Sequence, residues 1–401
     1  MHITIVVQRY GAEVLGGAET LARQVGERLT RHFDVDVLTT CALDYTTWEN
    51  AFSPGASLLN GVRVHRFPTI QQRHKHFDRL SAGLFGQPHS IDEELEWLYA
   101  QGPWAPALLE AILQRRDKTD VFIFFTYIYY PTALGLRLVA DKALLVPTAH
   151  DEPPVYLNVF KALFHAPRGI LYNTEEERAF VEAQFGNAYV PNCVAGLGVE
   201  TPSDPDVEGF RNWLGLSGPY FLYLGRIVES KGCDELLSYF RRFWEQHAGA
   251  ASLVLLGKAE MPLPRMPGLV YGGFVSEQAK FEAIAGATAV VIPSRYESLS
   301  MTALEAWAMG RPVVTTAQGR VVSGMSRRGN CGLYYRTMDE FVEILKLLLD
   351  EPVLSAALGR QGRRFVAETY AWDEVVDKYQ AMVDHVTSHP WGREVISETK
   401  D

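Results

Sequence analysis

The chain is poor in cysteine, carries no excess of basic residues and has no long uninterrupted apolar run. Its four cysteines, Cys41, Cys193, Cys233 and Cys331, are scattered without a C-x-x-C pair. That spacing excludes a recognisable zinc motif and predicts free thiols in a reducing compartment. Acidic side chains outnumber basic ones 48 to 38, for a formal charge of −10, so the basic footprint of a general nucleic-acid binder is absent. An anionic ligand would have to meet local positive charge and backbone dipoles instead. The longest apolar run, Val121 to Leu136, is broken by Thr126, Pro131 and Gly135 and falls short of a membrane span. The opening Met1-His-Ile-Thr-Ile-Val-Val7 lacks the basic region of a signal peptide and reads as a strand. These features predict a cytoplasmic protein.

What is present is ordinary globular composition: 401 residues, 47% apolar and 21% charged, enough for two domains. Strands are expected at Ile3–Val7, Asp36–Thr40, Val121–Phe125, Leu144–Pro147 and Gly169–Asn173, with a helix over Ala18–His32 carrying Leu21, Val25 and Leu29 at helical spacing. Alternating units of this kind predict a mainly parallel sheet covered on both faces. Glu200-Thr-Pro-Ser-Asp-Pro-Asp206 has linker composition. The pattern then restarts with Tyr220–Leu224, Leu253–Leu256, Leu269–Tyr271, Val290–Pro293 and Val313–Thr315. The reading is an α/β protein with domains at 1–200 and 201–372 and a final helix and tail at 373–401 that packs back on the first domain. The helix is expected to bury Val376, Tyr379, Val383 and Val386.

The most informative stretch is Pro293-Ser-Arg-Tyr-Glu297-Ser298-Leu299-Ser300-Met301-Thr-Ala-Leu-Glu305. It follows the strand-like Thr288–Ile292, so Glu297 is expected in the loop at a strand's C-terminal end and Glu305 about two turns down the next helix. Eight helical steps rise about 12 Å, comparable with the span from a transferred sugar to a nucleotide ribose. The N–H groups of Ser298 to Met301 would face an anion at the helix N-terminus. The same carboxylate spacing at Glu19/Glu27, Glu200/Glu208 and Glu343/Glu351 lacks this strand–turn–helix context.

Upstream, Leu224-Gly-Arg226-Ile-Val-Glu-Ser-Lys231-Gly232 sets two cations just past the first strand of the second domain. Arg226 offers a planar fork and Lys231 a compact charge, a pair suited to a diphosphate. In the first domain, Gly11-Ala-Glu-Val-Leu-Gly16-Gly17-Ala-Glu19 opens the first helix. It matches neither a P-loop, lacking Lys-Ser/Thr, nor the G-x-G-x-x-G fingerprint, because Glu13 occupies the second glycine position. What remains is a glycine pair that lets backbone approach a ligand. His150, in Thr148-Ala-His-Asp-Glu-Pro-Pro154, also follows a predicted strand; without further spaced ligands it does not make a metal site. Asp34-Val-Asp36 and Asp204-Pro-Asp206 fall at a strand start and in the linker and are not read as metal sites. The basic stretch Ile70–Leu80, with Arg73, Lys75 and Arg79, is read as a solvated face or a membrane-surface patch.

Taken together these residues resemble the retaining glycosyltransferases of family 4 (glycosyl transferases group 1), whose GT-B fold is two Rossmann-like doubly wound domains facing across an interdomain cleft. The resemblance is strongest from Tyr220 to Gly319. It implies that Arg226 and Lys231 bind a donor diphosphate, Glu305 binds ribose hydroxyls and Glu297 contacts the transferred sugar with the Ser298, Leu299, Ser300 and Met301 amides. It implies that Gly16 and Gly17 lie at the donor, that His150 lies beside the reacting sugar, and that Lys258, Gly273 and Phe274 border the base. Two departures stand out: Asn192-Cys-Val-Ala195 where Asn-Gly-Val-Asp is usual, and Gly257-Lys258-Ala259 where Gly-x-Gly is usual. The implied reaction is retaining transfer of a hexose from a nucleotide-sugar, UDP-linked before GDP-linked, without a metal or other cofactor. Its acceptor would be a glycan, lipid-linked or small-molecule hydroxyl, with peripheral contact to the inner face of a membrane as one setting. The alternatives are a nucleotide-sugar epimerase and a non-catalytic nucleotide-sugar-binding protein.

Overall fold

The structure, a computed structural model, describes residues 1–14 and 16–389. It divides into two compact units: Met1–Gly196 joined by residues 375–389, and Leu197–Glu374. The boundaries expected at 200 and 372 thus fall at 196 and 374, and the linker-like Glu200–Asp206 lies inside the second unit. That stretch ends where the Asp206 carboxylate caps helix Val207–Leu214 by accepting the Gly209 N–H at 2.8 Å.

The first unit is built on eight strands: β1 (His2–Val6), β2 (Asp34–Thr40), β3 (Gly55–Leu59), β4 (Val62–Phe67), β5 (Val121–Phe125), β6 (Ala143–Val146), β7 (Gly169–Tyr172) and β8 (Asn192–Val194). Their spatial order is β3-β4-β2-β1-β5-β6-β7-β8, parallel except for the β3–β4 hairpin. The continuous apolar string Val-Phe-Ile-Phe-Phe of β5 is buried at every position, as a strand covered on both faces requires. The hairpin was not anticipated. Asn60 and Gly61 turn it with φ of 49° and 85°, the Asn-Gly signal of a two-residue turn. Asn192-Cys193-Val194 forms the outermost strand and pairs with β7, so the departure there sits at a sheet edge.

The second unit holds β9 (Tyr220–Leu224), β10 (Ser252–Leu256), β11 (Leu269–Gly273), β12 (Ala289–Ile292), β13 (Val313–Thr316) and β14 (Gly332–Tyr335) in the order β11-β10-β9-β12-β13-β14, all parallel. Side chains alternate between two cores, following the two-residue strand period. Leu222, Val290 and Val313 pack with Trp307 on one face; Phe221, Val291 and Val314 pack with Phe240 and Leu345 on the other. The strand order reverses between β9 and β12. In doubly wound sheets that is where the chain leaves a crevice for ligands at the strands' C-terminal ends.

Helix Trp372–Ser388 begins at the boundary and buries Val375, Tyr379, Met382, Val383 and Val386. Its stripe therefore starts at Val375, with Val376 only half-buried. The Met382 methyl lies over Gly169, where a side chain would overlap it. The part of the expected tail at 390–401 lies outside the described residues. Among those described, all four thiols are free and no helix is long and apolar enough to cross a membrane.

Candidate functional site

The residues expected to carry the chemistry of the second unit gather at its switch point. Arg226 and Lys231 follow β9, and Glu297 follows its neighbour β12. The two loops meet directly: the Lys231 Nζ donates to Glu297 Oε1 at 2.8 Å, with the side chains 32% and 19% exposed. Glycine makes this approach feasible. Gly232 has φ of 75°, and a Cβ there would lie 2.7 Å from the Pro293 carbonyl oxygen. One residue type thus lets the β9 loop touch the β12 loop. A second close approach joins the ends of β9 and β10. Gly257 has φ of 134°, and a Cβ on it would overlap the Gly225 carbonyl oxygen. The parallel pairing continues past it through an Ile227–Ala259 bridge, which gives the Ala259 departure a local role. Arg226 and Lys258 both turn to Glu260, at 3.7 and 3.3 Å. Glu260 is a counter-ion that sequence reading missed; nothing local distinguishes it from a solvated carboxylate. Gly273 ends β11, and Phe274 beyond it is 71% exposed.

The helix after β12 starts later than expected. It runs Met301–Ala308 with Ser300 as N-cap, whose side-chain oxygen accepts the Ala303 N–H at 3.4 Å. Glu305 therefore lies about one turn inside the helix rather than two. Only the steps after Met301 are helical, so the 12 Å helical rise does not describe the Glu297–Glu305 pair. The capping preference of Ser300 sets this start. It leaves the first-turn N–H groups without intrahelical acceptors, at the end where the helix dipole favours negative charge. Glu305 Oε1 accepts from the Lys280 Nζ at 2.6 Å, and the same ammonium bonds Glu277 at 2.7 Å. Burial pushes the Glu305 carboxyl up, against the opposing pull of Lys280. Lys280 was not foreseen. In sequence it is one polar residue on the half-buried helix Glu277–Gly286.

The first unit's candidates lie at the C-terminal edge of its own sheet. Gly16 caps helix Gly17–Leu29, and a Cβ on it would overlap the Glu19 carboxylate. Glu19 is held by Arg9 at 2.6 Å and Gln8 at 2.9 Å, all three buried. Gly16 is therefore demanded by internal packing, whereas a Cβ on Gly17 would meet nothing within 4 Å. His150 follows β6, its Nδ1 3.0 Å from Glu152 Oε1, which also accepts from the Tyr127 hydroxyl at 3.0 Å. Two β-branched residues at these strand ends, Thr126 and Thr148, have φ of 69° and 50°, a costly geometry that concentrates at functional loops.

The loop bearing His150 is pinned from below by Glu177, a second residue missed from sequence. Its two oxygens accept the Ala149 and Asn173 N–H groups, each at 2.6 Å. Burial pushes this carboxyl up to about 8, opposed by those N–H groups and by His150. The Thr174-Glu-Glu-Glu177 capping pattern was its available signal, and Thr174 does cap the helix.

Other expected features resolve into structure. Asp34 and Asp36 both bind Arg63, at 2.9 and 2.7 Å. In the basic stretch, Arg73 turns inward over the Phe77 ring at 4.1 Å, while Lys75 and Arg79 remain exposed.

Comparison with known proteins bears on this arrangement. Residues 218–351 match the family described as Glycosyl transferases group 1. That stretch is similar to a group 1 glycosyltransferase domain. The match contains β9 through β14 and with them Arg226, Lys231, Lys258, Gly273, Phe274 and Glu297–Glu305; Gly16, Gly17 and His150 lie outside it. The chain is 27% identical over 273 residues to a D-inositol 3-phosphate glycosyltransferase 1 of Catenulispora acidiphila, spanning 62% of this chain and 64% of that protein. It is also 27% identical to an uncharacterized glycosyltransferase of Methanocaldococcus jannaschii, over 94% of this chain and 96% of that one. The fold is similar to that of Anabaena HepE, solved in complex with UDP-glucose, with a TM-score of 0.69 at 17% identity over 97% and 100% of the two chains. The GT-B fold and the group 1 resemblance read from the motifs both hold.

Proposed function

We propose that the protein is a group 1 glycosyltransferase that moves a hexose from a nucleotide-sugar donor to a hydroxyl acceptor, with retention at the anomeric carbon and without a metal. The observation that carries the reading is the Lys231–Glu297 contact at the β9/β12 switch point. It brings the cationic loop, the sugar-side carboxylate and the start of helix Met301–Ala308 to one place. Arg226 and Lys231 neutralise the diphosphate as the glycosyl bond breaks, helped by the helix-terminal N–H groups; such preorganised charge acts where charge develops. Glu297 contacts the transferred sugar, and Glu305 accepts the ribose hydroxyls. The acceptor attacks on the face the leaving group departs from, and the leaving phosphate oxygen takes the acceptor proton. Glu297 is therefore not a nucleophile. Gly17 leaves room for donor phosphate, His150 hydrogen-bonds the transferred sugar, and Lys258, Gly273 and Phe274 border the base.

A UDP-sugar is favoured because the similar HepE fold holds UDP-glucose; a GDP-sugar stands second. The acceptor is a hydroxyl of a glycan, a lipid-linked sugar or a small molecule, the last supported by the relative named for inositol 3-phosphate. The epimerase and non-catalytic readings are not favoured, since the family and the relatives are glycosyltransferases. The test is calorimetry with UDP, GDP, ADP and dTDP in EDTA, then NMR of the product's anomeric coupling with the sugar nucleotide of whichever binds. Metal-independent binding and a retained anomeric configuration are expected. Silence toward every nucleotide, or an inverted product, sinks the proposal.

A further inference from the structure

Glu305 is tied to the helix beside its own by one ammonium group. Lys280 lies on helix Glu277–Gly286, whose N-cap Ser276 follows closely on Gly273 and Phe274. Its Nζ donates to Glu305 Oε1 at 2.6 Å and to Glu277 Oε1 at 2.7 Å, and lies 4.6 Å from the centre of the Phe281 ring. The Lys280 and Glu305 side chains are only 19% and 14% exposed, whereas Glu277 is 76% exposed. The ammonium thus holds one oxygen of Glu305, leaving Oε2 without a hydrogen-bond partner among the described residues. A buried carboxylate that lost its only cation would take up a proton rather than stay charged. It would then offer a neutral acid to a diol that an ionised carboxylate binds far better.

We propose that Lys280 is a positioning residue for the nucleotide ribose: it keeps Glu305 ionised and fixes its side chain so that Oε2 faces the 2′- and 3′-hydroxyls. This rests on the assignment of Glu305 to the ribose. Lys280 itself makes no contact with the donor in this arrangement; its action passes through Glu305. A role confined to holding the two helices together would weaken every nucleotide alike.

The test is calorimetric binding of UDP and GDP against their 2′,3′-dideoxy counterparts, on wild type, Glu305→Ala, Lys280→Met and Lys280→Arg. Methionine keeps the aliphatic stem and removes the charge. Wild type should prefer the ribonucleotide by roughly tenfold to a hundredfold, the size of a hydrogen bond to a charged group. Lys280→Met should reduce that preference to about threefold or less with dideoxynucleotide affinity unchanged, and Lys280→Arg should restore part of it. If Glu305→Ala keeps the full preference, the ribose assignment fails. If Glu305→Ala abolishes it while Lys280→Met retains it, the assignment stands and the role of Lys280 is refuted. Equal weakening of both nucleotides by Lys280→Met also refutes it.

Discussion

Replacing Lys231 with Met separates what this contact does for stability from what it does for chemistry. The Lys231–Glu297 pair is about a third exposed on the lysine side, so solvent screens it and its net worth to folding is about 0.5–1 kcal/mol. For a unit the size of Leu197–Glu374, that lowers Tm by roughly 2–4 °C at most. The effect on turnover is of another order. If the same ammonium meets charge developing on the leaving diphosphate, its loss should lower kcat by about 10²–10³, as removal of one preorganised donor does. Affinity for UDP should fall roughly tenfold, and affinity for uridine, which has no phosphate, should not change. The assays are a thermal melt, calorimetry with UDP and uridine, and initial rates with the sugar nucleotide identified in the binding screen. A kcat reduced less than threefold, or uridine weakened as much as UDP, would refute the assignment of Lys231 to the diphosphate.

Two further outcomes follow from geometry elsewhere. Gly257→Ala forces a Cβ onto the Gly225 carbonyl at φ of 134° and should cost about 2–4 kcal/mol in urea unfolding. Gly17→Ala meets nothing and should leave stability within about 0.5 kcal/mol while lowering turnover; a Gly257→Ala protein as stable as wild type would contradict the close approach of β9 and β10. The Glu177 carboxyl, raised by burial from 4.5 to about 8, binds its proton more tightly folded than unfolded. Its contribution is therefore fully present below the lower value and lost as pH climbs through the higher one. The urea midpoint of wild type should fall relative to Glu177→Gln between about pH 5 and pH 8, and a gap that does not vary with pH would contradict that burial.

Much of the second unit could be read from the chain because its signals are local. Apolar runs of four or five residues next to glycine or proline fix β9, β10 and β12 to within a residue, and Val313-Val314 after Pro312 does the same for β13. The glycines at 225, 232 and 257 mark the turns. The offset of Glu305 from Glu297 was legible, but its conversion to a helical rise was not, because Ser300 caps the helix and only the residues from Met301 onward are helical. Glu177 carried a local capping signal that does not reveal its distant partner Ala149, whereas Glu260 and Lys280 escaped for one reason. Each acts on a partner brought near by the fold, and a charged residue on a helix or loop looks the same whether it meets water or a buried counter-charge.

The sequence by itself determined the period of the strands and helices, the loops that end them and the types of chemical group those loops carry. These depend on neighbours a few residues apart, so composition and spacing suffice. The tertiary structure alone decided that Lys231 meets Glu297 across 66 residues, that Lys280 holds Glu305, and that Glu177 pins the loop of His150. It also decided that the stripe of helix Trp372–Ser388 starts at Val375 rather than Val376 and includes Met382. Those outcomes depend on which strands become neighbours, and pairing across long separations is fixed only when burial of both sheet faces is satisfied together.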